Sequence, residues 1–230
     1  MRGKISEVVF DIETLASPPG GGGETDYLSG SPPAEEDPAE VLHRMSLAPL
    51  TARILSVAML NPGTGRGKVW YEHPECGPGR TGDGRIEMLP ATEEEMLAGF
   101  WAAVNGFERL ITFNGRLFDC PFLMLRSALL GVPPSRNLLP YRFSAREHCD
   151  LMDQLTFYGA MRKFTLEAYC RGFGIAREGG ETGRPDFSRL VDQGRYREIA
   201  EYAAGTVGAT AELYRRWRGT LSFWRETGTD

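Results

Sequence analysis

Val8-Val9-Phe10-Asp11-Ile12-Glu13-Thr14 sets two carboxylates two residues apart at the end of an apolar, β-branched run. The run predicts a buried strand over Val8-Val9-Phe10, ending at Asp11. On an extended chain, residues i and i+2 share one face, so Asp11 and Glu13 point the same way. Two like charges side by side at the end of a core strand are costly unless a cation neutralises them. Hard oxygen donors of this kind suit Mg²⁺ or Mn²⁺. Taken alone, the same residues also read as a strand ending in solvent with Asp11 opening a turn, and the rest of the chain has to decide between the two.

The 230 residues predict a single domain, 1–230, large enough for a substantial core. No apolar run reaches the roughly 20 residues a bilayer-crossing helix needs. Asp11 comes too early for a signal peptide, so the expectation is a cytoplasmic protein with no membrane partner. Cys76, Cys120, Cys149 and Cys170 have no paired spacing, and His43, His73 and His148 are the only histidines. A zinc site or a disulfide framework is therefore excluded as the basis of the fold. The net charge of −5 excludes the strongly basic class of non-specific nucleic-acid binders. It leaves open an enzyme that meets nucleic acid through metal ions.

Between positions 16 and 42 the chain holds five prolines, four consecutive glycines, six acids and no Lys or Arg. This predicts a flexible Gly/Pro/acid-rich insertion with a short helix near its end. Strands are expected over Arg53 to Leu60 and over Lys68 to Tyr71, joined by the turn Asn61-Pro62-Gly63. A loop follows over 74–84. Thr92 with Glu95 forms a capping-box signature for a helix whose apolar face is Met96, Leu97, Phe100, Trp101 and Val104. A strand over Arg109 to Phe113 precedes a helix from about Phe118 to Leu130. A short strand is expected at His148-Cys149-Asp150, with Asp150 capping a helix that runs to Tyr158. Thr165 opens another helix, a Gly-rich loop spans 172–183, and short and long helices are expected over 187–193 and 196–217. Three strands in a meander followed by alternating helices and strands make a mixed α/β sheet. Arg215, Arg216 and Arg218 around Trp217 read either as phosphate ligands or as a solvated helix end.

The second informative stretch is Phe113-Asn114-Gly115-Arg116-Leu117-Phe118-Asp119-Cys120-Pro121-Phe122-Leu123. Here a strand delivers Asn114 to a turn, and Asp119 opens the next helix, where a carboxylate also suits the helix dipole. Read with FDIET, with His148-Cys149-Asp150-Leu151-Met152-Asp153 and with a Tyr-containing last helix, it resembles the DEDD exonuclease superfamily. More narrowly, the chain is similar to the 3′–5′ exonucleases related to the proofreading domain of family B DNA polymerases. The resemblance covers nearly the whole chain outside 16–42.

That resemblance implies a ribonuclease H-like α/β fold, with three antiparallel and two parallel strands in a five-stranded mixed sheet flanked by helices. It implies two Mg²⁺ or Mn²⁺ ions and hydrolysis of phosphodiesters at the 3′ end of single-stranded DNA or RNA. By position, Asp11 bridges both ions, Glu13 holds the water-activating ion and Asp119 supports the other. Thr14, Leu15, Asn114 and Phe118 shape the pocket for the terminal nucleotide. Tyr202 orients the attacking water. The family's last motif then has an Asp four residues after the Tyr, where this chain has Thr206. A threonine hydroxyl is neutral and a poorer ligand for a hard dication. Two functions follow as expectations. One is an exonuclease attenuated by the missing carboxylate; the other is an inactive pseudo-exonuclease that binds nucleic acid or a partner protein. Glu198 and Glu201 lie on the wrong turns of the helix to replace the acid, whereas Asp150 and Asp153 could do so only by long-range folding.

Overall fold

The computed structural model describes residues 6–17, 38–73, 77–176 and 183–222. Its first strand, β1 (Glu7–Ala16), does not stop at Asp11 but continues through both carboxylates. Pairing explains the extension. The antiparallel partner β2 (Ala52–Leu60) continues the ladder past Glu13, with Thr14 opposite Ile54 and Ala16 opposite Ala52. A bulge at Leu55 of β2 absorbs the register shift between Glu13 and Thr14.

Five strands follow the expected plan. β2 pairs antiparallel with β3 (Gly67–Glu72), while β6 (Arg109–Thr112) and β7 (His148–Asp150) lie parallel on the other side of β1. The sheet nevertheless has seven strands, in the order β4-β5-β3-β2-β1-β6-β7. The two additions are β4 (Gly79–Arg80) and β5 (Ile86–Ala91), which extend the β3 edge. The two-residue β4 is hidden inside the loop expected over 74–84, and Pro90 interrupts the strand pattern of β5, which the sequence reading left without an element. Ile86 and Met88 are nonetheless buried.

Seven helices are described: α1 (Pro38–Ser46), α2 (Glu93–Val104), α3 (Asp119–Leu129), α4 (Leu151–Leu155), α5 (Leu166–Gly172), α6 (Phe187–Asp192) and α7 (Tyr196–Thr220). Local chemistry sets their starts. Thr92 forms the capping box with Glu95, while Asp150, Thr165 and Asp186 each accept a backbone N–H at their helix entry. The helix expected to reach Tyr158 ends at Leu155, because Phe157 and Tyr158 adopt left-handed φ values of 49° and 57°. The helix at 38–46 closes the insertion, whose residues 18–37 lie outside the described residues.

β1 separates two cores. Val8, Phe10 and Ile12 pack with Leu97, Phe100 and Phe122 of α2 and α3. Val9 packs on the other face with Ala203, Val207 and Tyr214 of α7. By alternation, Asp11 and Glu13 share Val9's side of the sheet. At the start of the strand, buried Glu7 accepts bonds from Arg109 Nη1 at 2.8 Å, Arg218 Nη1 at 2.9 Å and the Tyr214 hydroxyl. This network ties β1, β6 and α7 together. It also resolves the arginine cluster: Arg218 pairs with Glu7, and Arg215 and Arg216 both pair with Glu212. No helix among the described residues is long and apolar enough to cross a membrane. Cys120, Cys149 and Cys170 are buried free thiols, and Cys76 lies outside the described residues.

Candidate functional site

The site forms where β1 outruns its parallel neighbour. The β1–β6 pairing is in register through Val9 opposite Ile111, and β6 ends at Thr112. Beyond that point the β1 backbone needs another partner, since an unpaired buried N–H is costly. Asp119 supplies it: its Oδ1 accepts the Ile12 N–H at 2.9 Å. The third carboxylate of the sequence reading therefore sits against the Asp11-Ile12 backbone.

The turn that carries Asp119 there is tightly specified. Asn114 adopts a left-handed φ of 65°, which Asn tolerates better than most residues. A Cβ on Gly115 would lie 2.5 Å from Thr112 Cβ, so only glycine fits. Thr112 is itself fixed by His148, whose Nε2 lies 2.8 Å from Thr112 Oγ1 and whose Nδ1 lies 2.9 Å from the Leu138 carbonyl. Asp150, at the end of β7, accepts N–H bonds from Asn114 at 2.9 Å, Arg116 at 2.8 Å and Met152 at 2.9 Å. It holds the turn and caps α4 with one carboxylate.

Electrostatics mark Asp119. Burial and the neighbouring charge of Asp11 push its carboxyl well above the usual carboxylate range, against the opposing Ile12 N–H bond. Burial also raises Asp150, partly offset by its backbone donors. Burial holds His148 neutral, with its pKa lowered to about 3.

At the other end of the site, Arg184 Nε lies 3.5 Å from Glu13 Oε2. Its Nη2 donates to the Thr14 carbonyl at 3.0 Å, and its guanidinium carbon lies 4.7 Å from the centre of the Phe187 ring. Phe187 meets Tyr202 edge-on at 5.5 Å between ring centres. Leu15 and Tyr202 pack together against Leu55, Phe187 and Leu190. Thr206 is buried, and its hydroxyl donates to the Tyr202 carbonyl one turn earlier at 3.1 Å. The Thr14 hydroxyl donates to the Ser46 carbonyl at 2.6 Å, so its side chain joins β1 to α1. Phe118 packs beside Phe122, with 5.5 Å between ring centres. Ser56, opposite Glu13 on β2, is buried with no protein partner for its Oγ among the described residues.

Sequence reasoning missed Arg184, since it follows a Gly-rich stretch with no periodic signal. The two acids that might have replaced the missing carboxylate are engaged elsewhere. Asp150 serves three backbone N–H groups, and Asp153 pairs with Arg142 through bonds of 2.6 and 3.0 Å.

The carboxylates of Asp119 and Asp11 are donors of the kind that fit a divalent cation. Asp119 is a buried carboxylate opposed by the Asp11 charge, and a hard dication relieves that opposition. On the Glu13 side stands the Arg184 guanidinium, 3.5 Å from Oε2. Among the described residues, no group of three or more His, Cys, Asp or Glu side chains is gathered as one metal site.

Comparison with known proteins agrees with this architecture. A comparison with curated proteins gives no match. Among solved structures, the family B DNA polymerase from the hyperthermophilic archaeon Pyrobaculum calidifontis is similar in fold. The TM-score is 0.58 at 18% identity, over 94% of this chain and 25% of the polymerase chain. The chain thus spans about a quarter of that protein, and the likeness establishes the ribonuclease H-like fold. A family model described as a predicted 3′–5′ exonuclease related to the exonuclease domain of PolB matches residues 84–222, more than half of the chain. With the Asn114–Asp119 turn, β7 and α7 all inside that match, the chain belongs to the family of predicted 3′–5′ exonucleases related to the PolB exonuclease domain.

Proposed function

We propose that the protein is a metal-dependent 3′–5′ exonuclease that hydrolyses phosphodiester bonds at the 3′ end of single-stranded DNA or RNA. The observation that carries this reading is Asp119, buried beside Asp11 and bonded to the Ile12 N–H where β1 passes the end of β6. Asp11 and Asp119 would hold the ion. Bound there, Mg²⁺ or Mn²⁺ supplies positive charge that polarises a phosphoryl oxygen and acidifies a water. Tyr202 orients the attacking water, and its position is kept by Phe187 and Leu15. Glu13, two residues along the same face of β1, would help hold the ion that activates the water. Leu15, Asn114 and Phe118 shape the pocket for the terminal nucleotide.

A cluster of aromatic rings, two of them exposed, supports a single-stranded substrate. Tyr141 and Phe143 lie 5.9 Å apart between centres, and Phe143 and Tyr158 lie 5.0 Å apart. Tyr141 and Phe143 are 73% and 57% exposed. Arg116 fastens this loop to the Asn114 turn through the Pro140 carbonyl at 2.9 Å. Unpaired bases stack on such rings, whereas a duplex hides its base faces.

A second reading, a pseudo-exonuclease that binds strands without cutting them, is favoured by Thr206 and by the Arg184–Glu13 pair. One experiment separates the two. Single strands and duplexes labelled at the 5′ end are incubated with Mg²⁺ or Mn²⁺, and binding is followed in parallel by fluorescence anisotropy. Shortening of single strands from the 3′ end supports the exonuclease. Binding without shortening supports the second reading, and the absence of both binding and shortening refutes both.

A further inference from the structure

We infer that Tyr141, Phe143 and Phe157 form a metal-independent stacking site for the unpaired nucleotides on the 5′ side of the terminal one. The protein then takes strands of several nucleotides in preference to dinucleotide-sized fragments. The inference rests on the exonuclease reading above and deepens it by naming the length class of the substrate. The end of α4 carries it. Phe157 and Tyr158 follow one another in left-handed backbone, at φ 49° and 57°, and Gly159 comes next at 97°. That region is costly for a bulky side chain, whereas glycine enters it freely after a helix. The turn is locked all the same: Thr156 Oγ1 donates to the Met152 carbonyl at 2.6 Å, and the Tyr158 N–H reaches back to the Asp153 carbonyl at 2.7 Å. Burial does not repay the conformation, because Phe157 is 53% exposed. A strained turn that holds an apolar ring out in solvent is built for contact, not for packing.

Bonds from two directions hold this surface to the candidate site. Arg142 grips Asp153 at 2.6 and 3.0 Å, which brings the 141–143 loop onto α4 where Phe143 meets Tyr158. Arg116, inside the Asn114–Asp119 turn, donates to the Pro140 carbonyl at 2.9 Å and the Tyr141 carbonyl at 3.4 Å. The same turn leaves Leu117 exposed. An apolar surface therefore continues from the turn proposed for the terminal nucleotide out to Tyr141. Charge selects its occupant. Arg142, Arg146, Arg162 and Lys163 are exposed in this segment beside Glu147, whereas Asp150 and Asp153 are buried. In a chain of net charge −5 this is a locally basic surface, suited to phosphates, with rings on which bases stack. Rings and cations interleaved in this way fit an unpaired strand, and stacking needs no metal ion.

The test is fluorescence anisotropy on the full chain in EDTA, which keeps metal out of the measurement. A 5′-labelled oligothymidylate of about twelve nucleotides is expected to bind wild type, with a blunt duplex and a labelled dinucleotide weaker by roughly tenfold or more. Tyr141→Ala is expected to lose roughly tenfold in affinity for the strand, the scale of one stacked base. Phe157→Gly is expected to lose a similar factor while its melting temperature holds or rises, since glycine relieves the left-handed backbone. A ring with a packing role alone would lower the melting temperature and leave the affinity unchanged. Tyr141→Ala, at the most exposed of these rings, carries the comparison if Phe157→Gly does not fold. Wild-type affinity in both variants overturns the inference and leaves the exonuclease reading intact. So does cleavage of the dinucleotide as fast as of the longer strand, or a wild type that shortens strands in Mg²⁺ without binding them in EDTA. Self-association that Tyr141→Ala abolishes, with no strand bound, overturns it by giving the surface to a protein contact. Neither binding nor shortening by wild type overturns both readings.

Discussion

Replacing Glu7 by Ala removes the common acceptor of Arg109, Arg218 and Tyr214, the group that joins β1 and β6 to α7. The Arg109 and Glu7 side chains are 13% and 7% exposed, so the loss strands a largely buried guanidinium. Removing one partner of a buried ion pair costs about 3–5 kcal/mol. Arg218 is 36% exposed and regains water, which places the expected cost near the lower bound, about 3 kcal/mol. For a chain of this length each kcal/mol moves the melting temperature by about 2–4 °C, so the expected drop is roughly 6–12 °C. Thermal unfolding followed by circular dichroism at 222 nm measures it. Glu7→Gln, which keeps one acceptor oxygen for Arg109 and Tyr214 but loses the acceptor for Arg218, should lose less. A drop below about 2 °C for Glu7→Ala would refute the claim that this network anchors α7 to the sheet.

Three further predictions concern the turn and its neighbours. Gly115→Ala places a Cβ 2.5 Å from Thr112 Cβ and should cost about 1–3 kcal/mol in urea unfolding; an unchanged midpoint would show that the turn yields freely. His148 is held neutral, with a folded pKa of about 3 against 6.5 when exposed. A depressed folded pKa means that stability is intact above pH 6.5 and is lost as pH falls below it, by up to about 1.4 kcal/mol per unit. His148→Gln should flatten that slope between pH 6.5 and 5, and an unchanged slope would assign it to other groups. Asp119 has the opposite sign: its raised folded pKa means that, without metal, stability declines as pH rises through and above the ordinary carboxylate range. Asp119→Asn in EDTA at pH 7.5 should therefore resist urea better than wild type, and in Mg²⁺ or Mn²⁺ it should lose nuclease activity, a trade of stability for function. A less stable Asp119→Asn protein would contradict the electrostatic account.

What the sequence revealed was local. Thr92 and Glu95 announce their helix because both partners lie within one turn, and Thr206 is legible because its spacing from Tyr202 is fixed by the helix. The central five strands follow from apolar runs and turn residues. β5 was hidden because Pro90 interrupts a strand pattern, and β1 was drawn too short because its extension depends on β2. The least legible parts join residues distant in sequence. Arg184 reaches Thr14 across 170 positions and Tyr214 reaches Glu7 across 207, and no periodicity announces either pair. Asp150 was readable as a helix cap, but its hold on Asn114 and Arg116 required the parallel pairing of β6 with β7.

The most direct test of the central claim follows 5′-labelled single-stranded DNA and its RNA counterpart in Mg²⁺ or Mn²⁺, with Asp11→Ala protein run alongside. The account predicts a ladder shortening from the 3′ end that disappears in Asp11→Ala and in EDTA. No ladder with either metal, or one that persists undiminished in Asp11→Ala, would contradict it.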